Sequence, residues 1–169
     1  FDGEEDRIAA IEKEKAEKIE AIKRVKEEFV TEIEAEKAKA TALPSGLKIL
    51  TLKNGDGEKP KVGQKVNVMY AGYLMDGTLF DSNYEEVARK YGTFDWNREQ
   101  GGGYMPVPMD YSPESRLIAG FREGLLTMKI GDKVRIFIPS HLGYGAQGGG
   151  PIPADADLVF DLEITGIAN

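Results

Sequence analysis

No cysteine occurs in the chain, so neither a disulfide framework nor a thiolate nucleophile or metal ligand is available to it. That absence does not locate the protein, because exported and cytosolic proteins alike can lack the residue. The single histidine, His141, has no second His or Cys with which to share a metal and no serine in a recognisable nucleophile elbow. It reads as a structural or exposed side chain, and no metal site or other cofactor is indicated. No apolar run approaches the roughly 20 residues that a membrane-spanning helix needs. Positive charge is the minority: the formal net charge is −7, whereas phosphate binding wants Lys and Arg gathered on one face, so a nucleic-acid surface is excluded. Proline and internal glycine are missing from residues 4 to 42, although the whole chain holds 8 Pro and 20 Gly.

What fills residues 4 to 42 is Glu, Lys, Ala and Ile, all compatible with a long helix. Ile8, Ile11, Ile19, Ile22, Val25, Phe29 and Ile33 recur at steps of three and four or their sums, while Lys15 interrupts the stripe. The pattern predicts a thin apolar seam on a charged rod, supported by acid-before-base pairs such as Glu14 with Lys18. The seam is too broken for a strict coiled coil. A spacer or rod lying on its own domain is the leading reading, beside a dimerisation arm and a ligand for another partner. At 169 residues the chain suits one domain, residues 44–169, plus this appendage, residues 1–43. It begins at Phe1 without an initiator Met or a signal peptide, which reads as a processed or trimmed piece of something longer.

Past Pro44 the period changes from helix to strand. Val66, Val68 and Tyr70 alternate with Asn67, Met69 and Ala71, and the period of two returns at Val134, Ile136 and Ile138 and at Leu158, Phe160, Leu162 and Ile164. These are antiparallel strands with one wet face. Ile118, Phe121, Leu125 and Met128 fall at helical steps before a KIGDK turn, predicting one short amphipathic helix across the sheet. The fold class is therefore α+β.

Three blocks carry the chemistry: YAGYLMDGTLFDSN at 70–83, RLIAGFREGLLTMKIGDK at 116–133 and IPSHLGYGAQGGGPIPADADLVFDLEI at 138–164. They place Tyr70, Phe80, Ile118, Phe121, Tyr144, Ile152 and Phe160 on separate short elements with one acid, Asp81, directly after an apolar residue. That combination predicts an apolar cavity with a sparse polar rim. In order, spacing and identity these blocks, over roughly residues 44 to 168, resemble the FKBP-type peptidyl-prolyl cis-trans isomerases, with a bacterial, macrophage-infectivity-potentiator-like character in LPSGL and DGTLFDSN. The resemblance implies a curved antiparallel sheet wrapped around one helix with the pocket between them. It assigns Tyr70, Phe80 and Phe160 to the pocket walls, and Leu117, Ile118 and Ile152 to its entrance and rim. Tyr144 becomes a hydroxyl donor to a substrate carbonyl, and Asp81 a polar contact beside the twisting amide. Phe121 stands where compact family members commonly place Trp, which bears on macrolide binding more than on isomerisation.

A second departure is an insertion at about residues 83–110. It contains a helix candidate from Tyr84 to Tyr91, with Ser82 and Glu85 at capping-box spacing and Gly92 suited to the left-handed C-terminal position. The following Trp96, Gly101–Gly103 and Met105-Pro-Val-Pro stretch reads as a mobile flap beside the pocket mouth or as surface decoration. Gly143, Gly145 and Gly148 satisfy GxGxxG literally, but the prolines that follow make it a loop, not a dinucleotide fingerprint. The expected function is X-Pro isomerisation in protein folding, the alternative an FKBP-like binding or chaperone module with weak or no activity. Implied partners are proline-containing polypeptides and rapamycin-like macrolides, with an upstream domain or a homodimer through the first helix left open. A bacterial periplasm or envelope and a cytoplasm fit equally.

Overall fold

The computed structural model describes residues 3–168; Phe1, on which the trimmed-start reading rests, lies outside them. A 35-residue helix, α1 (Gly3–Lys37), opens the chain with Glu4, Glu5 and Asp6 in its first turn, where acids complement the positive end of the helix dipole. It stops five residues short of the expected 42. Thr41–Ala42 instead forms β1 and pairs with β2 (Lys48–Lys53), because Leu43 and Leu47 close a tight turn in which Gly46 adopts φ +101°.

The remaining strands are β3 (Lys65–Leu74), β4 (Leu79–Ser82), β5 (Val107–Asp110), β6 (Lys133–Ile138) and β7 (Leu158–Ile167), in one antiparallel sheet ordered β1-β2-β6-β7-β3-β4. β5 shares the outer edge of β3 with β4, pairing Lys65–Val68 while β4 pairs Ala71–Tyr73. The predicted cross-sheet helix is α4 (Ala119–Leu125). It lies close to β6 because Gly120 and Gly124 face Ile138 and Ile136; a Cβ on Gly120 would come within 2.6 Å of Ile138. Between β4 and β5 run α2 (Glu85–Lys90) and α3 (Trp96–Gln100).

The sheet is not wet on one face. Val66, Val68, Val134, Ile136, Ile138, Leu158, Phe160, Leu162 and Ile164 bury against α4, with Phe121, Leu125 and Met128. On the opposite face Ala71, Tyr73, Phe137 and Val159 bury against Phe29 and Ile33 of α1, together with Tyr84 and Tyr91. The alternation correctly separated two faces, but Tyr73, Phe137 and Val159 sit at the positions taken for solvent, and the end of α1 covers them. Arg135 lies on this face too. Its guanidinium pairs with Asp161 at 2.7 and 2.9 Å, with Glu32 at 3.2 Å and with Glu36, and stands 5.1 Å over the Phe29 ring. The outer half of α1 remains exposed, including Ile8, Ile11 and Ile19.

The insertion is built into the sheet rather than hung from it. β5 extends the ladder, and Tyr84, Ala88 and Tyr91 of the α2 region are buried. Gly92 takes φ +73° as the capping pattern requires. The capping box itself does not form: Ser82 Oγ accepts from Tyr84 N at 3.0 Å and donates to Tyr70 O at 2.8 Å, so its hydroxyl is spent on the strand.

Candidate active site

Each wall of the site has a backbone reason for its place. Tyr70 and Gly72 lie on β3, Phe80 and Asp81 on β4, and Phe160 on β7, with Gly72 directly opposite both Asp81 and Phe160. A Cβ at Gly72 would meet the Phe80 and Phe160 rings at 2.7 Å, so a glycine there lets these rings meet edge to face, 5.5 Å apart at 83°. Phe160 also packs edge-on to Phe121 at 5.1 Å, and Phe121 to Tyr70 at 6.4 Å. Such arrangements set the positive edge of one ring against the negative face of the next.

The result is a cavity of about 370 Å³ lined by Tyr70, Phe80, Asp81, Arg116, Leu117, Ile118, Phe121, Tyr144 and Phe160. Eight of the nine residues singled out from sequence therefore converge. Ile152 does not line it: it is 5% exposed, buried in the α4-side core, where its amide and carbonyl both bond to Gly149. The loop folds back on itself after the Gly run and carries Ile152 beneath the site instead of onto its rim. Tyr144, between two short 3-10 turns, Ser140–Leu142 and Gly145–Gln147, is 41% exposed. Its hydroxyl makes no hydrogen bond among the described residues, which leaves it free to donate to a bound carbonyl. His141 lies off the cavity, its Nε2 3.0 Å from the Ser45 carbonyl.

The one carboxylate in the cavity is held on both oxygens. The Tyr70 hydroxyl donates to Asp81 Oδ2 at 2.6 Å, and Arg98 Nη1 donates to Oδ1 at 2.9 Å. Burial, then the bond and charge of Asp81, push the Tyr70 hydroxyl up to about 12, so it stays a donor at neutral pH. Arg98 comes from α3, deep in the insertion. It is braced by the Gly103 carbonyl at 3.1 Å and by the Tyr104 ring, 5.1 Å from the guanidinium carbon. A second buried polar group ties insertion to sheet: the Asn83 side chain, fully buried, accepts from Tyr70 N at 2.6 Å and donates to the Val68 and Met105 carbonyls at 2.9 and 3.0 Å.

Arg98, Asn83 and Arg116 were not singled out from sequence. Asn83 closes the DGTLFDSN block and could have been suspected as an Asn next to a strand end, where the amide replaces missing backbone partners. Arg98 gives no local signal, since it meets Asp81 only because the insertion folds back. Among the described residues no cluster of His, Cys, Asp and Glu could hold a metal, and no helix is long and apolar enough to cross a membrane.

The antiparallel sheet thus packs one face on α4, and an aromatic cavity with one tethered acid opens beside that helix. The family description FKBP-type peptidyl-prolyl cis-trans isomerase matches residues 56–165, and the chain belongs to that family. It is similar to the FkpA isomerase of Aeromonas hydrophila, 35% identical over 95% of this chain and 53% of the relative. FK506-binding protein 1 of Dictyostelium discoideum is 38% identical over 70% of this chain and 95% of its own length. The macrophage infectivity potentiator of Trypanosoma cruzi is 38% identical, with 76% and 56% covered. The chain thus spans about half the length of two of these relatives. Among solved structures, FkpA from Escherichia coli superposes with a TM-score of 0.61 at 27% identity over 96% of this chain and 70% of that one. AtFKBP13 gives 0.62 at 29% over 76% and 98%.

Proposed function

We propose that the chain catalyses cis-trans isomerisation of X-Pro bonds in polypeptides, using the cavity above. Rotating such an amide costs about 18–20 kcal/mol because resonance between nitrogen and carbonyl is lost, and no bond is made or broken. A catalyst has only to bind the twisted amide better than the planar one; a thousandfold acceleration needs about 4 kcal/mol of differential binding. The carrying observation is the linked ring series Tyr70, Phe121, Phe160 and Phe80 beside a single, doubly tethered acid. Apolar walls favour the twisted state, which has less charge separation and depends less on water at its carbonyl. Tyr144 holds a flanking carbonyl, and Asp81, kept in place by Tyr70 and Arg98, is the polar contact near the rotating nitrogen. The Leu117–Ile118 entrance favours a bulky apolar residue before proline.

The same cavity is proposed to accept rapamycin-like macrolides, with lower affinity than a tryptophan floor would give, since Phe121 offers a smaller ring and no indole donor. The exposed Ile8–Ile11–Ile19 stretch of α1 is proposed as a spacer that meets an upstream domain or a second copy; sedimentation of the chain across a concentration series separates the two. A protease-coupled assay on tetrapeptides with varied residues before proline tests the activity. Acceleration at micromolar protein, greatest for Leu or Phe, is expected; an unchanged rate would reduce the chain to a binding module.

A further inference from the structure

The cavity wall contains a cation with no assigned role. Arg116 is exposed and immediately precedes the Leu117–Ile118 entrance, and it lines the same cavity as Asp81 and Tyr144. Among the described residues it makes no ion pair or side-chain hydrogen bond. Of the acids near it in sequence or across the cavity, two are already committed. Asp81 is committed on both oxygens to Tyr70 and Arg98, Glu123 accepts from Ser45 at 2.7 Å, and Glu114 stands exposed on the preceding loop. With Asp81 paired to Arg98, Arg116 is the one unpaired charge lining the cavity among the described residues, on a chain whose formal net charge is −7. The loop that presents it is held in shape by Arg122, whose Nη1 bonds the Ser115 and Leu117 carbonyls on either side, both at 3.1 Å.

We infer that Arg116 is a specificity-determining residue that selects substrates carrying a carboxylate next to the proline. The inference rests on the isomerase reading of this cavity and deepens it. A Glu side chain before proline can lay its methylenes along Leu117 and Ile118 and bring its carboxylate to the guanidinium. Gln has the same shape without the charge, and Lys brings repulsion. The entrance thus ranks Glu above Gln above Lys among long polar residues, while the apolar preference remains. A partly exposed ion pair is worth about a two- to fivefold preference at low salt, and at 1 M salt, where the Debye length shrinks to roughly 3 Å, comparable to the separation of the pair, screening weakens it.

The test compares tetrapeptides that differ only in Glu, Gln or Lys before proline, and a second set with the change after proline, in the intact chain and in Arg116→Gln and Arg116→Glu. The Gln peptide is the reference within each protein, so a general loss of activity cancels. We expect a Glu:Gln ratio in kcat/KM of about three in the intact chain, near one in Arg116→Gln, and inverted, with Lys favoured, in Arg116→Glu. The ratio should fall in high salt. Anisotropy of labelled versions of the same peptides reads the preference in binding even if turnover is absent, so failure of the isomerase reading and failure of the charge selection are told apart. Ratios that are equal in all three proteins, in both sets and in both readouts, overturn the inference.

Discussion

On the α4 face of the sheet the buried side chains are apolar almost without exception, and beside them a cavity of about 370 Å³ stays open. On the α1 face Arg135 and Asp161 lie among Phe29, Tyr73 and Phe137, and both are bonded within that core. Apolar walls leave no hydrogen bond unmet, so the hollow costs only the apolar area it leaves to water, about 25 cal/mol per Å². A buried charge tolerates no missing partner, because an unpaired ion in a poor dielectric costs several kcal/mol. The hollow beside α4 holds one acid, Asp81, which carries its own partners with it. The charged face, in turn, is the one that can fix a helix in a single register, since Glu32 and Glu36 on α1 meet Arg135 only when α1 docks in one way.

If this contrast is right, the largest effect comes from breaking the charged face. Arg135→Ala should lower unfolding free energy by roughly 3–5 kcal/mol, because it strands the buried Asp161; urea denaturation followed by circular dichroism measures it. A loss below about 1 kcal/mol, the scale of an exposed pair, would mean that the network is solvated and the two faces are alike.

Truncations of α1 should divide sharply along the same line. Removing residues 3–21 cuts only the exposed half and should leave both stability and short-peptide turnover nearly unchanged. Removing residues 3–37 deletes Phe29 and Ile33, two large side chains buried against the sheet, and should cost at least the roughly 2–5 kcal/mol typical of one such truncation. The same reasoning applies to the insertion. Deleting residues 84–108 takes out Tyr84, Ala88, Tyr91 and Arg98, so it should damage folding and the Asp81 contact together, beyond any effect on long substrates.

Changes on the cavity face should spare the fold and act on rate. Asp81→Ala and Tyr144→Phe should each lower kcat/KM by about tenfold, the equivalent of one hydrogen bond of roughly 1.4 kcal/mol, with unchanged circular dichroism. His141→Ala should alter turnover less than twofold. Loss of activity in His141→Ala with an intact fold would sink the desolvation mechanism.

The smallest effect expected is none. Tyr70 is a neutral donor whose folded pKa is raised to about 12, so the stability it adds is present below its ordinary value near 10 and is lost only as pH climbs through about 12. Turnover requires no proton transfer, and kcat/KM should stay flat from about pH 6 to 9, the range in which a histidine-dependent mechanism would bend. A bell-shaped profile there would place a titrating group in the mechanism.

Local pattern was enough for the long helix, the three main strands, the short helix from Phe121 to Leu125 and the left-handed turn at Gly92, because each repeats within a few residues. The cavity walls came instead from the family resemblance carried by DGTLFDSN and the later blocks, since Phe121 lies on a helix and Tyr144 in a loop, where no strand alternation marks them. Local pattern failed where residues distant in sequence decide an outcome. Tyr73, Phe137 and Val159 fall at the strand positions opposite the α4 face, and the return of α1 over the sheet is what buries them. Ile152 looked like a rim residue until the glycine loop folded it under. Ser82 and Glu85 had capping spacing, but the hydroxyl had a better partner across the strand at Tyr70.

Composition and periodicity by themselves determined the long first helix, the three main strands and the short helix across the sheet. Tertiary structure alone decided which face of the sheet received α1, that Arg98 would reach Asp81 from 17 residues away, and that Glu36 would reach Arg135 across 99. The division follows from range. Backbone geometry imposes its periods over a few residues, whereas an ion pair between separate elements depends on where the whole chain has already been packed.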